Sequence, residues 1–200
     1  MRIRSMLGAI MLLVALGSST TAPASQQQSG AAAPAVPPAP PDDGAFPARY
    51  AYLHEGSIPG GTEDDVRAAL PFVRIELERT VCFGACPAYT VTLERDGQAR
   101  YVGRHAAPRQ GRFVGSVDPF SYGRLCFLLE HQGFTALKPD YSAPWTDDST
   151  CCLRVWRDLA EEPITVNDYG DYGPIELWGP QEAVDAVGER IEWKSDPKPK

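Results

Sequence analysis

Two stretches of alternating apolar and polar residues flank a pair of cysteines and constrain the fold more than any other feature. In residues 72–79, FVRIELER, apolar side chains alternate with charged ones, and residues 89–94 continue the alternation. A period of two predicts strands that bury one face. Asp96-Gly97, a dipeptide typical of tight hairpin turns, then leads into a third strand over residues 98–103. The centre of the chain is therefore predicted to be an antiparallel meander.

The period changes after a fourth predicted strand at residues 112–116. Asp118 is a good N-cap residue, and Pro119 suits the first position of a helix. A helix is predicted over residues 119–132, with Gly133 at its end. Its apolar residues recur at i, i+3, i+4 and i+7, and so share one face: Tyr122, Leu125, Cys126 and Leu129.

Two more strands, at residues 152–156 and 163–166, precede a second predicted helix from Pro180 to about Val187. Residues 190–194 are then expected to form a short extended tail. Strands grouped apart from helices favour an α+β fold. We predict an antiparallel sheet of about five to six strands, packed with two main helices.

The N-terminal residues have the layout of a secretory signal peptide, predicted to span residues 1–24. Arg2 and Arg4 precede a short apolar run, and small residues follow at 22–24. Residues 25–48 are rich in proline and alanine and lack large apolar side chains, which predicts a disordered linker. The protein is therefore expected to be periplasmic or secreted, in a bacterium, with no integral membrane segment after cleavage.

The remaining residues are predicted to form one domain with a short extension before it. Residues 49–71 form the extension, in which Thr62 and Asp65 predict the start of a short helix. Residues 72–194 form a single α+β domain, and residues 195–200 a disordered tail. The chain has 26 acidic and 19 basic residues, a net charge of −7, and its basic residues are scattered. Nucleic acid is therefore not expected as a partner.

Cys82 and Cys86 are predicted to form a disulfide in an oxidising compartment. Gly84 between them allows the sharp turn that brings their Cα atoms within bridging distance. The bridge closes a small loop and is worth about 2 kcal/mol by the loop-entropy relation. The alternative is a reactive redox pair, which usually needs a helix N-terminus or a nearby cation. Here a strand is predicted to follow, and three residues separate the cysteines.

The other three cysteines permit a second bridge, between Cys126 and either Cys151 or Cys152. The alternative for Cys126 is a buried thiol that packs like a small apolar residue. Because the cysteine count is odd, at least one thiol stays free or pairs with another chain. Adjacent cysteines do not follow the usual spacing of zinc ligands, so neither a metal nor a cofactor is predicted.

Residues 168–173, DYGDYG, are the one stretch whose composition suits a binding surface. Tyr169, Asp171 and Tyr172 offer aromatic and hydrogen-bonding groups on a loop with two glycines. An ordinary turn has the same composition. No nucleophile elbow, phosphate loop or His-Glu-x-x-His motif is present, so no catalytic residue is predicted.

The cysteine motif and the pattern around it resemble a known family. The run from Ile75 to Val91 contains Cys-Phe-Gly-x-Cys-Pro-x-Tyr and is followed by Asp96-Gly97 and Tyr101-x-Gly103. It is similar to bacterial, mostly exported domains of unknown function marked by that motif, and the similarity extends over about residues 73–194. The resemblance implies one compact domain with the two motif cysteines at a fixed place. It implies no activity, ligand or catalytic residue.

These observations favour a non-enzymatic exported domain that contains a structural disulfide. Its predicted role is either to bind an envelope protein or glycan or to serve as a structural part of the envelope. One alternative is a thiol–disulfide redox protein that uses Cys82 and Cys86. Another is a hydrolase that uses scattered carboxylates, although no two of these form a recognisable pair in the sequence.

Overall fold

The computed structural model describes residues 47–55 and 61–196. The predicted signal peptide, and nearly all of the predicted linker, lie outside the described residues. The tail was predicted to start at residue 195, but Ser195 belongs to a strand. Within the described ranges, no helix combines the length and the apolar character needed to cross a bilayer.

Four α-helices are present in the described residues. They are α1 (Ala51–Glu55), α2 (Glu63–Ala69), α3 (Pro119–His131) and α4 (Ile175–Arg190). Thr62 and Asp65 form the predicted capping box at the start of α2, where each side chain bonds the backbone amide of the other residue. Asp118 caps α3 by accepting a hydrogen bond from the Ser121 amide at 2.9 Å, which confirms the predicted start of this helix.

A single eight-stranded sheet forms the other layer. Its strands are β1 (Arg74–Arg79), β2 (Tyr89–Glu94), β3 (Gln98–Gly103), β4 (Gly111–Ser116), β5 (Asp140–Ser142), β6 (Thr150–Trp156), β7 (Ile164–Tyr169) and β8 (Lys194–Ser195). They lie in the order β5, β7, β6, β1, β2, β3, β4, β8. All neighbouring pairs are antiparallel except β5 and β7.

The α+β class is confirmed, but the sheet is larger than the predicted five to six strands. The two additional strands, β5 and β8, have three and two residues. Segments this short carry no visible period of two, because alternation needs about four residues to be recognised. The second main helix also begins five residues before the predicted Pro180, which lies inside α4.

The core lies between α3, α4 and one face of the sheet. Ile75 and Leu77 of β1 have no exposed surface, and they alternate with charged residues on the other face, as predicted. All four apolar residues predicted for one face of α3 are buried in this core: Tyr122, Leu125, Cys126 and Leu129.

The opposite face of the sheet carries a ladder of ion pairs across β6, β1 and β2. Arg154 contacts Glu76 and Glu78 at 3.0 Å each. Arg74 contacts Glu94 at 2.8 Å. Because these charges already have partners on neighbouring strands, this polar face has little capacity for a further charged ligand.

Candidate functional site

The connection between β1 and β2, residues 80–88, is the staple loop, closed by a disulfide between Cys82 and Cys86. Their Cα atoms are 5.5 Å apart, and the predicted bridge is present in the structure. The Gly84 amide donates to the Cys82 carbonyl at 2.9 Å, which tightens the turn. Phe83 lies at its tip with 90% of its surface exposed. The bridge therefore presents a large aromatic side chain to solvent on a covalently closed loop.

Hydrogen bonds fix the staple loop to the first residue of β6 and to the loop before it. The Thr80 amide donates to the Thr150 carbonyl at 3.0 Å, and the Thr150 amide donates to Thr80 Oγ1 at 2.8 Å. The Phe83 amide donates to the Asp147 carbonyl at 3.0 Å. The position of the exposed phenylalanine is thus set both by the disulfide and by the neighbouring loop.

The neighbouring loop, residues 143–149, presents a second aromatic side chain. Trp145 is 50% exposed, and its indole nitrogen donates to Asp148 Oδ2 at 3.0 Å. This hydrogen bond, with one from the Ser149 amide, lowers the pKa of the Asp148 carboxyl. The Asp148 amide in turn donates to the Tyr169 hydroxyl at 3.0 Å. These bonds hold the Trp145 side chain in one position.

The predicted DYGDYG segment packs against Trp145. The Gly170 amide donates to the Ser149 carbonyl at 3.0 Å, and Gly170 has φ +69°. A Cβ at this position would lie 2.8 Å from the Ala143 Cβ and 3.0 Å from the Trp145 Nε1, so only glycine fits. Tyr172 is 44% exposed and meets Trp145 edge to face, with ring centroids 6.3 Å apart.

A buried carboxyl group holds this turn to α4. Asp168 has no exposed surface; it accepts a hydrogen bond from the Gly173 amide at 2.7 Å and one from Gln181 Nε2 at 3.5 Å. Burial raises the pKa of the Asp168 carboxyl, and this effect outweighs the opposing effect of the hydrogen bonds. Asp168 therefore positions the turn and is not available to a ligand.

A polar cluster fixes α4 beneath the staple loop. Arg79, at the end of β1, contacts Asp185 at 2.7 Å and Glu182 at 2.9 Å. The Tyr89 hydroxyl, at the start of β2, donates to Asp185 Oδ1 at 2.7 Å. The strand ends on both sides of the staple loop are therefore joined to the same helix.

These segments meet at one end of the sheet, where β1 ends opposite the start of β6 and β6 starts opposite the end of β7. Ile175 and Trp178, in the first turn of α4, are 67% and 44% exposed. Six of the eight exposed large hydrophobic residues in the described ranges belong to these segments. We call this group the end surface: Val81, Phe83, Trp145, Tyr172, Ile175 and Trp178.

The sequence identified only part of this surface. Tyr172 is exposed in it, and Asp171 lies on the same turn with φ +49°. The Tyr169 hydroxyl, also predicted to belong to a binding surface, accepts a hydrogen bond from the Asp148 amide at 3.0 Å. Phe83 and Trp145 were missed, although a large aromatic residue inside a short polar or glycine-containing loop is a recognisable signal.

The second predicted bridge is absent, because Cys126, Cys151 and Cys152 are free buried thiols. Cys126 interacts with the backbone of Phe72, just before β1, whereas Cys151 pairs with Arg79 at the end of β1. Those positions are seven residues apart along an extended chain, roughly 20 Å, and a disulfide needs Cα atoms within about 7 Å. Cys152 follows Cys151 on β6 and so points to the opposite face of the sheet.

The chemistry of the cysteines supports packing roles for the free thiols. Burial raises the pKa of the Cys126, Cys151 and Cys152 thiols, which keeps them protonated and poorly nucleophilic. The motif disulfide lies between two strands, and β2 starts three residues after Cys86, so no helix N-terminus follows it. Within the described ranges, no group of three or more histidine, cysteine or acidic residues is placed to hold a metal ion.

A cavity of about 480 Å³ lies elsewhere, between β4, the start of α3 and the end of α4. Its lining includes Val114, Asp118, Arg190, Ile191 and Glu192. Asp118 already occupies the amide groups at the start of α3, and charges of both signs line the cavity. The lining of the cavity therefore shows no preference for a ligand of one charge. It also lacks the concentration of exposed apolar side chains found at the end surface.

Comparison with known families gives one match. The sequence model of a family described as a domain of unknown function, DUF6438, matches residues 73–188. This range contains the staple loop and all six residues of the end surface. In the comparison with curated proteins, no protein matches the chain.

Proposed function

We propose that this chain, which belongs to the DUF6438 family of domains of unknown function, is a binding domain that docks onto another protein through the end surface. The observation that carries the proposal is the exposure of Phe83, at 90%, on a loop fixed by a disulfide and by a hydrogen bond to Asp147. Aromatic side chains held in advance by the fold dominate the energetics of many protein interfaces.

The clustering of apolar side chains supports a binding role. Contiguous exposed apolar patches are uncommon on monomeric proteins and usually mark interaction sites. Trp145 and Tyr172 touch each other at this end of the sheet, and both are fixed by surrounding bonds or turns. Such preorganised aromatic residues lose little conformational entropy on binding.

A protein fits the end surface better than a glycan does. Val81, Phe83 and Ile175 have no side-chain hydrogen-bonding group, so they offer nothing to sugar hydroxyls. Phe83 is also 90% exposed, and it is buried only when apolar side chains of a partner surround it. The proposed partner is therefore an envelope protein whose apolar side chains form a pocket around Phe83 on binding.

We place this function outside the cytoplasm, in the periplasm or the secreted fraction. The layout of residues 1–24 supports export, and the Cys82–Cys86 disulfide is consistent with an oxidising compartment. A fusion of residues 1–48 to a reporter enzyme that is active only after export tests this placement. Activity supports export, and a cytoplasmic, inactive fusion contradicts it.

Site-specific photocrosslinking in cells that produce the protein tests the binding role. A photoreactive phenylalanine analogue replaces Phe83 in one variant and Leu159 in the control. Leu159 is a suitable control because it is 55% exposed and lies in the loop between β6 and β7, at the opposite end of the sheet. We expect one discrete protein adduct from position 83 and none of this adduct from position 159. The crosslinked protein, once purified, should also bind the purified chain. Either no adduct at position 83, or the same adducts from both positions, contradicts the proposal.

The alternative function, thiol–disulfide exchange through Cys82 and Cys86, is supported only by the presence of the bridge. Its setting between two strands favours a structural bridge. We expect a reduction potential below about −300 mV and no catalysis of insulin reduction. A potential in the range of oxidoreductases, with a thiol of low pKa, would favour the alternative.

A further inference from the structure

The segments that carry the end surface are acidic as well as apolar. The three segments that form it are residues 80–88, 143–149 and 169–178, and they contain no lysine, arginine or histidine. They contain four carboxylates: Asp147, Asp148, Asp171 and Glu176. None of these four forms an ion pair with any residue in the described ranges.

The acidic character changes abruptly across the staple loop. On its other side lies the connection between β3 and β4, where the Arg104 amide donates to the Ala88 carbonyl at 2.8 Å. That connection carries Arg104, His105 and Arg109. The exposed aromatic residues Trp145 and Tyr172 lie on the acidic side of Phe83, and the basic side has no exposed large apolar residue in the described ranges. Apolar contact and negative charge therefore coincide.

We infer that the partner presents basic side chains around the apolar pocket that receives Phe83; this inference rests on the proposed function. Complementary charge around an apolar centre accelerates association and excludes wrong partners. The same charge disfavours an anionic membrane or nucleic acid, and it also disfavours a second copy of this surface, because the like charges of both would repel one another.

Three of the carboxylates can be neutralised by amides that keep an acceptor oxygen, including one for the hydrogen bond that Asp147 Oδ2 accepts from Thr146 Oγ1 at 3.2 Å. Asp147 and Asp171 have φ values of +71° and +49°, a region that asparagine tolerates well. Glu176 has no hydrogen bond or ion pair in the described ranges. The test variant is Asp147→Asn, Asp171→Asn, Glu176→Gln. Asp148 is kept because it holds Trp145.

A control variant removes the same charge elsewhere. Glu161→Gln, Glu162→Gln and Glu189→Gln change exposed residues outside the three segments of the end surface. The probes are two synthetic peptides of about 12 residues with identical leucine and phenylalanine content, one carrying four arginines and the other four glutamates. Binding to the full chain is followed by tryptophan fluorescence and calorimetry at low and high salt.

We expect the arginine peptide to bind and the glutamate peptide not to bind. The test variant should weaken arginine-peptide binding about tenfold at low salt, and the control variant about twofold or less. The inference is overturned if neither peptide binds, if both bind equally, or if both variants weaken binding to the same extent.

Crosslinking separates this inference from the proposed function. If the adduct from position 83 forms with equal yield in the test variant, the partner is not basic, but the docking proposal stands. If the arginine peptide binds as expected and position 83 gives no adduct in cells, the surface is selective for basic peptides, but the docking proposal fails.

Discussion

At the scale of single residues, Gly170 decides how closely the DYGDYG turn approaches Trp145. It combines φ +69° with a position where a Cβ would meet both the Ala143 Cβ and the Trp145 indole. The sequence identified this stretch as a glycine-containing turn. It did not reveal which glycine the packing requires, because the contact is made by a loop 25 residues earlier in the chain.

Gly170→Ala should lower the free energy of unfolding by about 1–3 kcal/mol, through backbone strain and the close contacts. Gly188→Ala is the matched control, since a Cβ there would make only an ordinary contact, 3.6 Å from Val91, and the residue lies in the last turn of α4. It should raise the free energy of unfolding by about 0.5–1 kcal/mol. Urea denaturation of both variants measures these changes. Equal effects of the two substitutions would show that Gly170 is not required by its surroundings.

Asp168 should make stability depend on pH. Burial raises the pKa of its carboxyl in the folded chain above the ordinary value of about 3.9. At a pH between these two values, the folded chain keeps a proton on Asp168 that the unfolded chain has lost. Its contribution to the free energy of unfolding is therefore greatest below pH 4 and declines as pH rises through the folded pKa.

Asp168→Asn keeps the shape of the side chain and an acceptor for the Gly173 amide while removing the charge. Relative to this variant, the natural chain should lose stability as pH is raised from 4 to 7, as measured by urea denaturation at fixed ionic strength. Parallel stability curves for the two proteins would mean that the carboxyl titrates normally.

At the scale of secondary-structure elements, the staple loop has a local role. The bridge spans a sequence separation of four residues, and the strands on either side are already paired over β1 and β2. Replacing both Cys82 and Cys86 with alanine should cost about 2 kcal/mol in the free energy of unfolding. Amide exchange at Phe83 should accelerate markedly, while that at Ile75 should change little.

Reduced natural protein provides the control for the double substitution, because Cys126, Cys151 and Cys152 are already free. Its stability and exchange rates should match those of the double variant. Loss of the whole sheet on reduction, seen as uniform acceleration of exchange across β1, β2 and β6, would refute a local role for the bridge.

Helices and strands were predicted correctly where a local sequence pattern extended over enough residues to be recognised. Period-two alternation located β1 and β2, and the Asp118 cap located α3. The start of α4 was misplaced because Pro180 resembles a first helical residue, whereas the helix extends back to Ile175. The short strands β5 and β8 depend on pairing with β7 and β4, which is long-range information.

At the scale of the whole molecule, the end surface arises from the topology of the sheet. Antiparallel pairing of β1 with β6 and of β6 with β7 brings three connections to one end of the sheet. Phe83, Trp145 and Tyr172 are far apart in sequence, and an aromatic residue that is recognisable in one loop gives no sign that it lies near the other two. Their common location could not be read from residue order, because it depends on the register of strands that are distant in the chain.

The affinity of the Phe83→Ala variant for the purified partner, identified through its crosslink to position 83, shows whether Phe83 anchors the complex. Because the side chain is 90% exposed, the substitution should leave thermal stability nearly unchanged, as should the control Leu159→Ala. If Phe83 is the anchor, Phe83→Ala should weaken binding by about 2 kcal/mol, roughly 30-fold in Kd, and Leu159→Ala by less than about twofold. A Phe83→Ala variant that binds as tightly as the natural chain would contradict the assignment of the end surface.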